Sequence, residues 1–264
     1  MHYENFHVLS ALLPRRLREP FEVLYSWCRY ADDCADESAS VDEAVDRLTH
    51  LRAELDTVFD QAARRSKCDS AAEGASCKLL NLIVQYNLPR EPFDDLLDAF
   101  FQDQRVCRYE TMSELLDYCR RSANPVGRLV LKLVCQGELK ADQLDASDAI
   151  CTALQLANFW QDVKRDRDKG RDYIPREMAQ GRTFKETLQV LVGQTELLFE
   201  RGDVLPETLP RDVRPVIRLF IRGGRTVLKK IKRMGYCTDC RRPVVGRWDK
   251  IRILAWTWLE TWFR

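Results

Sequence analysis

The stretch CRYADDCADE, residues 28–37, crowds four carboxylates among alanines and cysteines, with Arg29 at their upstream edge. On a helix, residues three or four apart are neighbours. That spacing puts Tyr25, Arg29, Asp32 and Asp36 on one face, and Phe21, Leu24, Cys28, Ala31 and Ala35 on another that is apolar and small. Asp33 lies about 100° around from Asp32, at the edge of the polar seam. A second seam recurs downstream, where Gln155, Asn158, Asp162 and Asp166 share a face and Leu156, Trp160 and Val163 supply apolar packing beside it. A seam in a helix this apolar is expected to be interior. Carboxylates taken out of water need a cation or hydrogen bonds. Two such seams facing each other across a bundle would hold hard cations through oxygen. Mg²⁺ suits them, because it binds through one or two carboxylates plus substrate phosphates and keeps several waters. The competing reading of either seam alone is a solvated charged face.

The rest of the chain offers little but helices. Strand-like alternation is scarce and prolines fall between periodic segments. The pattern predicts helices near 15–37, 41–65, 71–86, 92–105, 112–136, 146–167, 183–201, 211–234 and 246–262, a linker turn at 66–70 and a loop at 168–182. Capping boxes are expected at Ser40-x-x-Glu43, Ser70-x-x-Glu73 and Thr111-x-x-Glu114. Pro92 suits a first turn, and Asp145 or Ser147 is expected to cap the helix that carries the second seam. Pro125 and Gly127, in SANPVG (122–127), should break or kink the helix that begins near Thr111. The organisation is that of a single all-α domain over 1–264.

Of the 264 residues, 45% are hydrophobic and 31% charged, as in a soluble globular chain. A net charge of +1 gives no field directed at nucleic acid, and no nucleic-acid partner is expected. No apolar run reaches the roughly 18 residues of a membrane span. The N-terminus MHYENFHVLS lacks the basic and apolar regions of a signal peptide. The ten cysteines therefore read as reduced and mostly core-packing, in a cytoplasmic chain. Cys237 and Cys240 form a lone CxxC, a weak signal for zinc or redox work without a second pair. The histidines, His2, His7 and His50, complete no Glu-x-x-His motif, which rules out a di-iron bundle.

Three segments, YSWCRYADDCADE, YCRRSANPVGRLVL and LQLANFWQDVKRDRDKGRDYIP, resemble the motifs of the squalene and phytoene synthase family, the head-to-head trans-isoprenyl diphosphate synthases, in that family's order. ENFHVLSALLPRRLREPF, FQDQRVCRYET and RRSANPVGRL resemble most its bacterial hopanoid-pathway branch of squalene and hydroxysqualene synthases. The resemblance implies an all-α isoprenoid synthase fold, a helical bundle around a central hydrophobic cavity. It implies on the order of two or three Mg²⁺ ions, held by Asp32, Asp36, Asp162 and Asp166 with Asp33 in the first motif. It places Arg29, Gln155 and Asn158 against diphosphate or its metals, Tyr25 and Tyr118 near the reacting centre, and Phe6 in the motif lining the substrate site. Arg171 and Tyr173 follow the second motif as the family pattern requires, and Arg242 matches a C-terminal arginine near a diphosphate.

The chemistry so implied is Mg²⁺-dependent ionisation of presqualene diphosphate with water capture to hydroxysqualene, by a transferase- or lyase-type enzyme that needs no NADPH. The alternatives are a presqualene diphosphate or squalene synthase acting on farnesyl diphosphate, and a non-catalytic member serving as an assembly factor among pathway partner enzymes. Ionisation leaves a carbocation that an apolar pocket must shield from water, and aromatic faces at Phe6, Tyr25, Tyr118 or Trp160 could stabilise it; for Trp160, plain core packing is the competing reading. Arg214, Arg218, Arg222, Arg225 and Lys229 recur at helical intervals, as a solvated face, a diphosphate contact or a patch for anionic membrane. The tail WDKIRILAWTWLETWFR aligns Ile251, Leu254, Trp258 and Trp262, either packed on the domain or in peripheral contact with the inner membrane.

Overall fold

The structure, a computed structural model, describes residues 13–64, 74–135, 137–246 and 249. Among these the helices are α1 (Arg15–Asp36), α2 (Val41–Ala63), α3 (Ala75–Tyr86), α4 (Glu91–Asp103), α5 (Met112–Ser122), α6 (Asn124–Val134), α7 (Ala141–Asp168), α8 (Arg176–Ala179), α9 (Phe184–Gly202), α10 (Leu205–Thr208) and α11 (Arg214–Arg233). No strand occurs among the described residues; an isolated parallel bridge joins Arg108 and Asp172. The chain divides into two compact units, one formed by Pro14–Val106 with Pro125–Leu139, the other containing Cys107–Asn124 and everything from Lys140 onward.

In the first unit α1, α2, α3 and α4 pack on one another. The small face read from the sequence of α1 is the one that goes inside: Leu24, Ala31 and Ala35 are buried, joined by Leu17, Trp27 and Cys34. Trp27 stands edge-on to Phe93 of α4 at 4.8 Å, and Phe59 of α2 meets the same ring at 5.6 Å. Small residues let α4 come close enough for the Gln104 amide to donate to the Ala35 carbonyl at 3.2 Å. Ser40 caps α2 by accepting from the Glu43 amide, while the Glu43 carboxylate takes the Ala39 amide at 2.9 Å.

The second unit is built on α7. The longest helix in the described chain, it packs against α9, α11, α5 and α10. Thr111 and Thr183 open α5 and α9 with complete capping boxes, the first as expected and the second unforeseen. The break between α5 and α6 falls at Ala123, with Pro125 in the first turn of α6, so the expected interruption is a clean restart rather than a kink. Helix α7 begins at Ala141, ahead of the expected caps Asp145 and Ser147, and buries Ser147 in its second turn. Of the remaining expectations, Ser70 as a cap, the 66–70 linker and the 246–262 helix lie outside the described residues.

Two sequence expectations are corrected here. Cys77 is disulfide-bonded, and the cysteines are therefore not uniformly reduced. Cys34 and Cys119 are buried thiols, and burial pushes Cys119 up to about 12, but Cys107, Cys237 and Cys240 are exposed. Sequence spacing reports neither the proximity that closes a disulfide nor the side of a loop on which a thiol sits. The basic stripe of α11 is matched by acids of its own unit: Arg214 and Arg218 to Glu207, Arg225 to Asp203 at 2.7 Å, and Lys232 to Glu196 at 2.6 Å. No helix among the described residues is long and apolar enough to cross a membrane.

Candidate active site

The seam on α1 is partly open to solvent. Tyr25, Asp32 and Asp33 are half-buried and Arg29 and Asp36 exposed. Arg29 neutralises the cluster from within the helix, reaching Asp32 at 3.1 Å, Asp33 at 2.6 Å and Glu37 at 3.2 Å. Even so, burial and the charge of Asp36 hold the Asp32 carboxyl above the usual carboxylate range, against the pull of Arg29.

The seam on α7 has the same character in the other unit. Asp162 and Asp166, one turn apart, are half-buried, as is Gln155, while Asn158 is exposed. Leu156, Trp160 and Val163 take the core side of the helix, which leaves the polar face an outlet to water. Burial, and then the negative charge of Asp162, push Asp166 up to about 6. Asp162 is held by Arg242, which donates Nε to one carboxylate oxygen and Nη2 to the other at 3.2 Å, a bidentate clasp. The adjoining strap is fixed by Gln161, whose buried amide donates to the Pro243 carbonyl at 2.7 Å.

Beyond α7, Gly170 at φ 80° turns the chain, and the Arg171 amide donates to the Asp166 carbonyl at 2.9 Å. The next residues pair with the segment ahead of α5: Asp172 donates to the Cys107 carbonyl at 2.8 Å, Arg176 to that of Tyr109 at 3.1 Å and Glu177 to that of Glu110 at 3.0 Å. This pairing assembles an aromatic cluster. Tyr173 stacks on Phe159 with ring centroids 3.8 Å apart and planes 8° apart, and lies 6.0 Å from Tyr109 and 6.2 Å from Tyr118. Tyr109 and Tyr118 are 5.6 Å apart. Phe159 stands three residues before Asp162 on α7, so carboxylates and aromatic faces occupy successive turns of one helix.

The sequence points to Tyr118, Gln155, Asn158, Asp162, Asp166, Arg171, Tyr173 and Arg242, and all of them fall within this unit. It missed Tyr109 and Phe159, which look like ordinary core residues until the two loops pair. It also missed Gln161, and the bond from the Thr152 hydroxyl to the buried Asn124 side chain at 2.9 Å, which pins the start of α6 to α7. Trp160 is fully buried and donates Nε1 to the Thr195 hydroxyl at 2.8 Å, a core contact between α7 and α9. Tyr25, Arg29, Asp32, Asp33 and Asp36 belong to the first unit. Phe6 lies outside the described residues.

Comparison with known proteins gives these motifs a context. The sequence profile of a family described as squalene/phytoene synthase matches residues 1–249. The chain is 28% identical over 286 aligned positions to a bifunctional lycopene cyclase/phytoene synthase of Phaeosphaeria nodorum, covering 97% of this chain and 48% of that protein. It is 35% identical over 222 positions to a hydroxysqualene synthase of Sinorhizobium fredii, covering 78% of this chain and 71% of the relative. The chain thus spans about half the length of the first of these relatives and most of the second. Among solved structures, the squalene synthase HpnC from Alicyclobacillus acidocaldarius superposes with a TM-score of 0.77 at 36% identity, over 89% of this chain and 90% of that one.

Proposed function

The chain belongs to the squalene/phytoene synthase family, and from that membership we propose that it carries out head-to-head prenyl diphosphate chemistry, namely the Mg²⁺-dependent ionisation of presqualene diphosphate with capture of water to give hydroxysqualene. The observation that carries the reading is on α7. Two half-buried carboxylates, with Asp166 pushed up to about 6, sit next to a stacked cluster of four aromatic rings. Crowded, partly desolvated acids are costly as bare charges and favourable as cation ligands. Each donor set, Asp162 and Asp166 on α7 and, in its own unit, Asp32, Asp33 and Asp36 on α1, is entirely oxygen and suits a hard divalent ion.

When bound, Mg²⁺ supplies Lewis-acid stabilisation of the leaving diphosphate. The chain's own residues do the rest. In the unit of α7, Arg171 offers guanidinium charge to a diphosphate, with Gln155 and Asn158 as amide donors on the same face as Asp162; in the unit of α1, Arg29 offers the same charge beside Asp32 and Asp33. Arg242, clasped to Asp162 here, would turn from that carboxylate to the diphosphate once the carboxylate takes an ion. Tyr109, Tyr118, Phe159 and Tyr173 present ring faces that favour a neighbouring carbocation and exclude bulk water from it. Loss of diphosphate breaks one carbon–oxygen bond, and addition of water forms another and releases a proton, so no reductant enters the balance.

The 35% identity to a hydroxysqualene synthase supports this choice within the family. The 36% identity to a squalene synthase of known structure supports a second reading, condensation starting from farnesyl diphosphate. Purified chain incubated with Mg²⁺ and each diphosphate separately, without NADPH, distinguishes the two by the lipid recovered. An alcohol from presqualene diphosphate is the expected result; conversion of farnesyl diphosphate alone would favour the second. Asp162→Asn should lower product formation by roughly 10²–10³-fold with the far-UV circular dichroism unchanged. Near-normal turnover in that variant would refute the metal assignment.

A further inference from the structure

Where α11 ends, the chain reverses through two successive left-handed residues, Gly235 at φ 67° and Tyr236 at φ 64°. The Gly235 amide donates to the Lys232 carbonyl and the Tyr236 amide to that of Ile231, both at 3.0 Å, so the reversal is locked to the last turn of the helix. The next four residues, Cys-Thr-Asp-Cys, form a tight turn. Thr238 is fully buried and anchors the turn to the protein, while Cys237 and Cys240 face outward. One ligand atom from each of Cys237, Asp239 and Cys240 lies within 4.8 Å of the other two. Asp239 Oδ1 is shut off from solvent and has no hydrogen-bond partner among the described residues. Two residues later Arg242 clasps Asp162, and after it Pro243 receives Gln161, so the turn is held at both ends.

We propose that Cys237, Asp239 and Cys240 form a binding site for a soft divalent cation of the Zn²⁺ class, separate from the carboxylate seams on α1 and α7. Thiolate pairs select such ions over Mg²⁺. A zinc ion sits about 2.3 Å from sulfur and about 2.0–2.2 Å from carboxylate oxygen. Closing three ligand atoms already within 4.8 Å onto one ion asks only for side-chain adjustments of about 1 Å. A carboxylate oxygen of Asp239 supplies a third ligand next to the two sulfurs, and water completes the tetrahedron. As the metal–sulfur bonds form, both thiols give up their protons to solvent.

The test uses the full chain, reduced and stripped of metal, titrated with Co²⁺ in the presence of excess Mg²⁺. The expected result is one Co²⁺ per chain with a thiolate-to-metal charge-transfer absorption, displaced by Zn²⁺ and not by Mg²⁺. Cys237→Ser and Cys240→Ser should abolish the absorption, and Asp239→Asn should weaken binding by about 10-fold or more. Cys107→Ser, at another exposed thiol, should leave it unchanged. Circular dichroism of each variant confirms that the helices persist. Absence of the absorption in the reduced chain would overturn the proposal, and so would its survival in the Cys237→Ser, Cys240→Ser double variant. Because the readout is independent of turnover, it stands or falls apart from the diphosphate chemistry.

Discussion

Asp166 shows how a single carboxylate reports its surroundings. Its ordinary value of 3.8 is pushed up to about 6, chiefly by burial and then by Asp162 one turn away. The folded chain therefore keeps a proton that the unfolded chain has lost between about pH 4 and pH 6. The sign follows: this group's ionisation costs the folded state nothing below that window, and stability falls as pH rises through it. Because the side chain is partly exposed, solvent screening reduces the penalty to ~1 kcal/mol. Asp166→Asn should thus raise the melting temperature of the metal-free chain at pH 7 by roughly 2–4 °C, with the gain vanishing near pH 4. A difference independent of pH would contradict this account. The spacing of Asp162 and Asp166 was legible in the sequence. Their half-exposure, and the hold of Arg242 on Asp162, were not, since nothing in the local pattern says which distant arginine returns to a given carboxylate.

At the scale of helices, close approach decides more than propensity. Gly224 of α11 lies where a side chain would run into Phe199 of α9 and sit 2.9 Å from Leu154 Cδ2 of α7. Phe199 is fully buried and has little room to yield. Gly224→Ala would gain up to about 1 kcal/mol in helix propensity but lose ~1–3 kcal/mol to overpacking. The net effect expected is a lower denaturation midpoint in urea with an unchanged slope; a stabilised variant would show that the three helices can spread. The same junction holds the Trp160–Thr195 bond, so Thr195→Val should cost ~1–3 kcal/mol by orphaning a buried indole N–H. Helix existence was readable because apolar residues recur with the helical period and Thr111 and Ser40 supply caps. The early start of α7 was not, because its first residue follows Lys140, no cap-forming side chain, and Gln143 instead accepts the Lys140 amide at 3.1 Å.

For the whole chain, occupancy of the carboxylate seams should appear as stability. A ligand that binds only the folded chain raises its stability by about 2.7 kcal/mol at 100 times its dissociation constant. Mg²⁺ with inorganic pyrophosphate should therefore raise the melting temperature by roughly 5–10 °C, while either alone does less and Asp162→Asn abolishes the joint effect. An equal shift in the variant would place the anion elsewhere. The basic helix α11, by contrast, spends much of its charge on Glu207, Asp203 and Glu196. Surface pairs of this kind contribute little each, but they leave the stripe less available to an external anion than its arginine spacing suggests.

The amino-acid sequence alone determined the all-helical class, the polar and apolar faces of α1 and α7, and the family motifs, because period and residue type are local properties of a chain. Tertiary structure decided which loops pair to stack Tyr109, Tyr118, Phe159 and Tyr173, which guanidinium closes on Asp162, and that two cysteines and an aspartate converge on one anchored turn. Those outcomes depend on contacts between residues far apart along the backbone or on the path of the chain through a turn, and neither carries a periodic signature that can be read in advance.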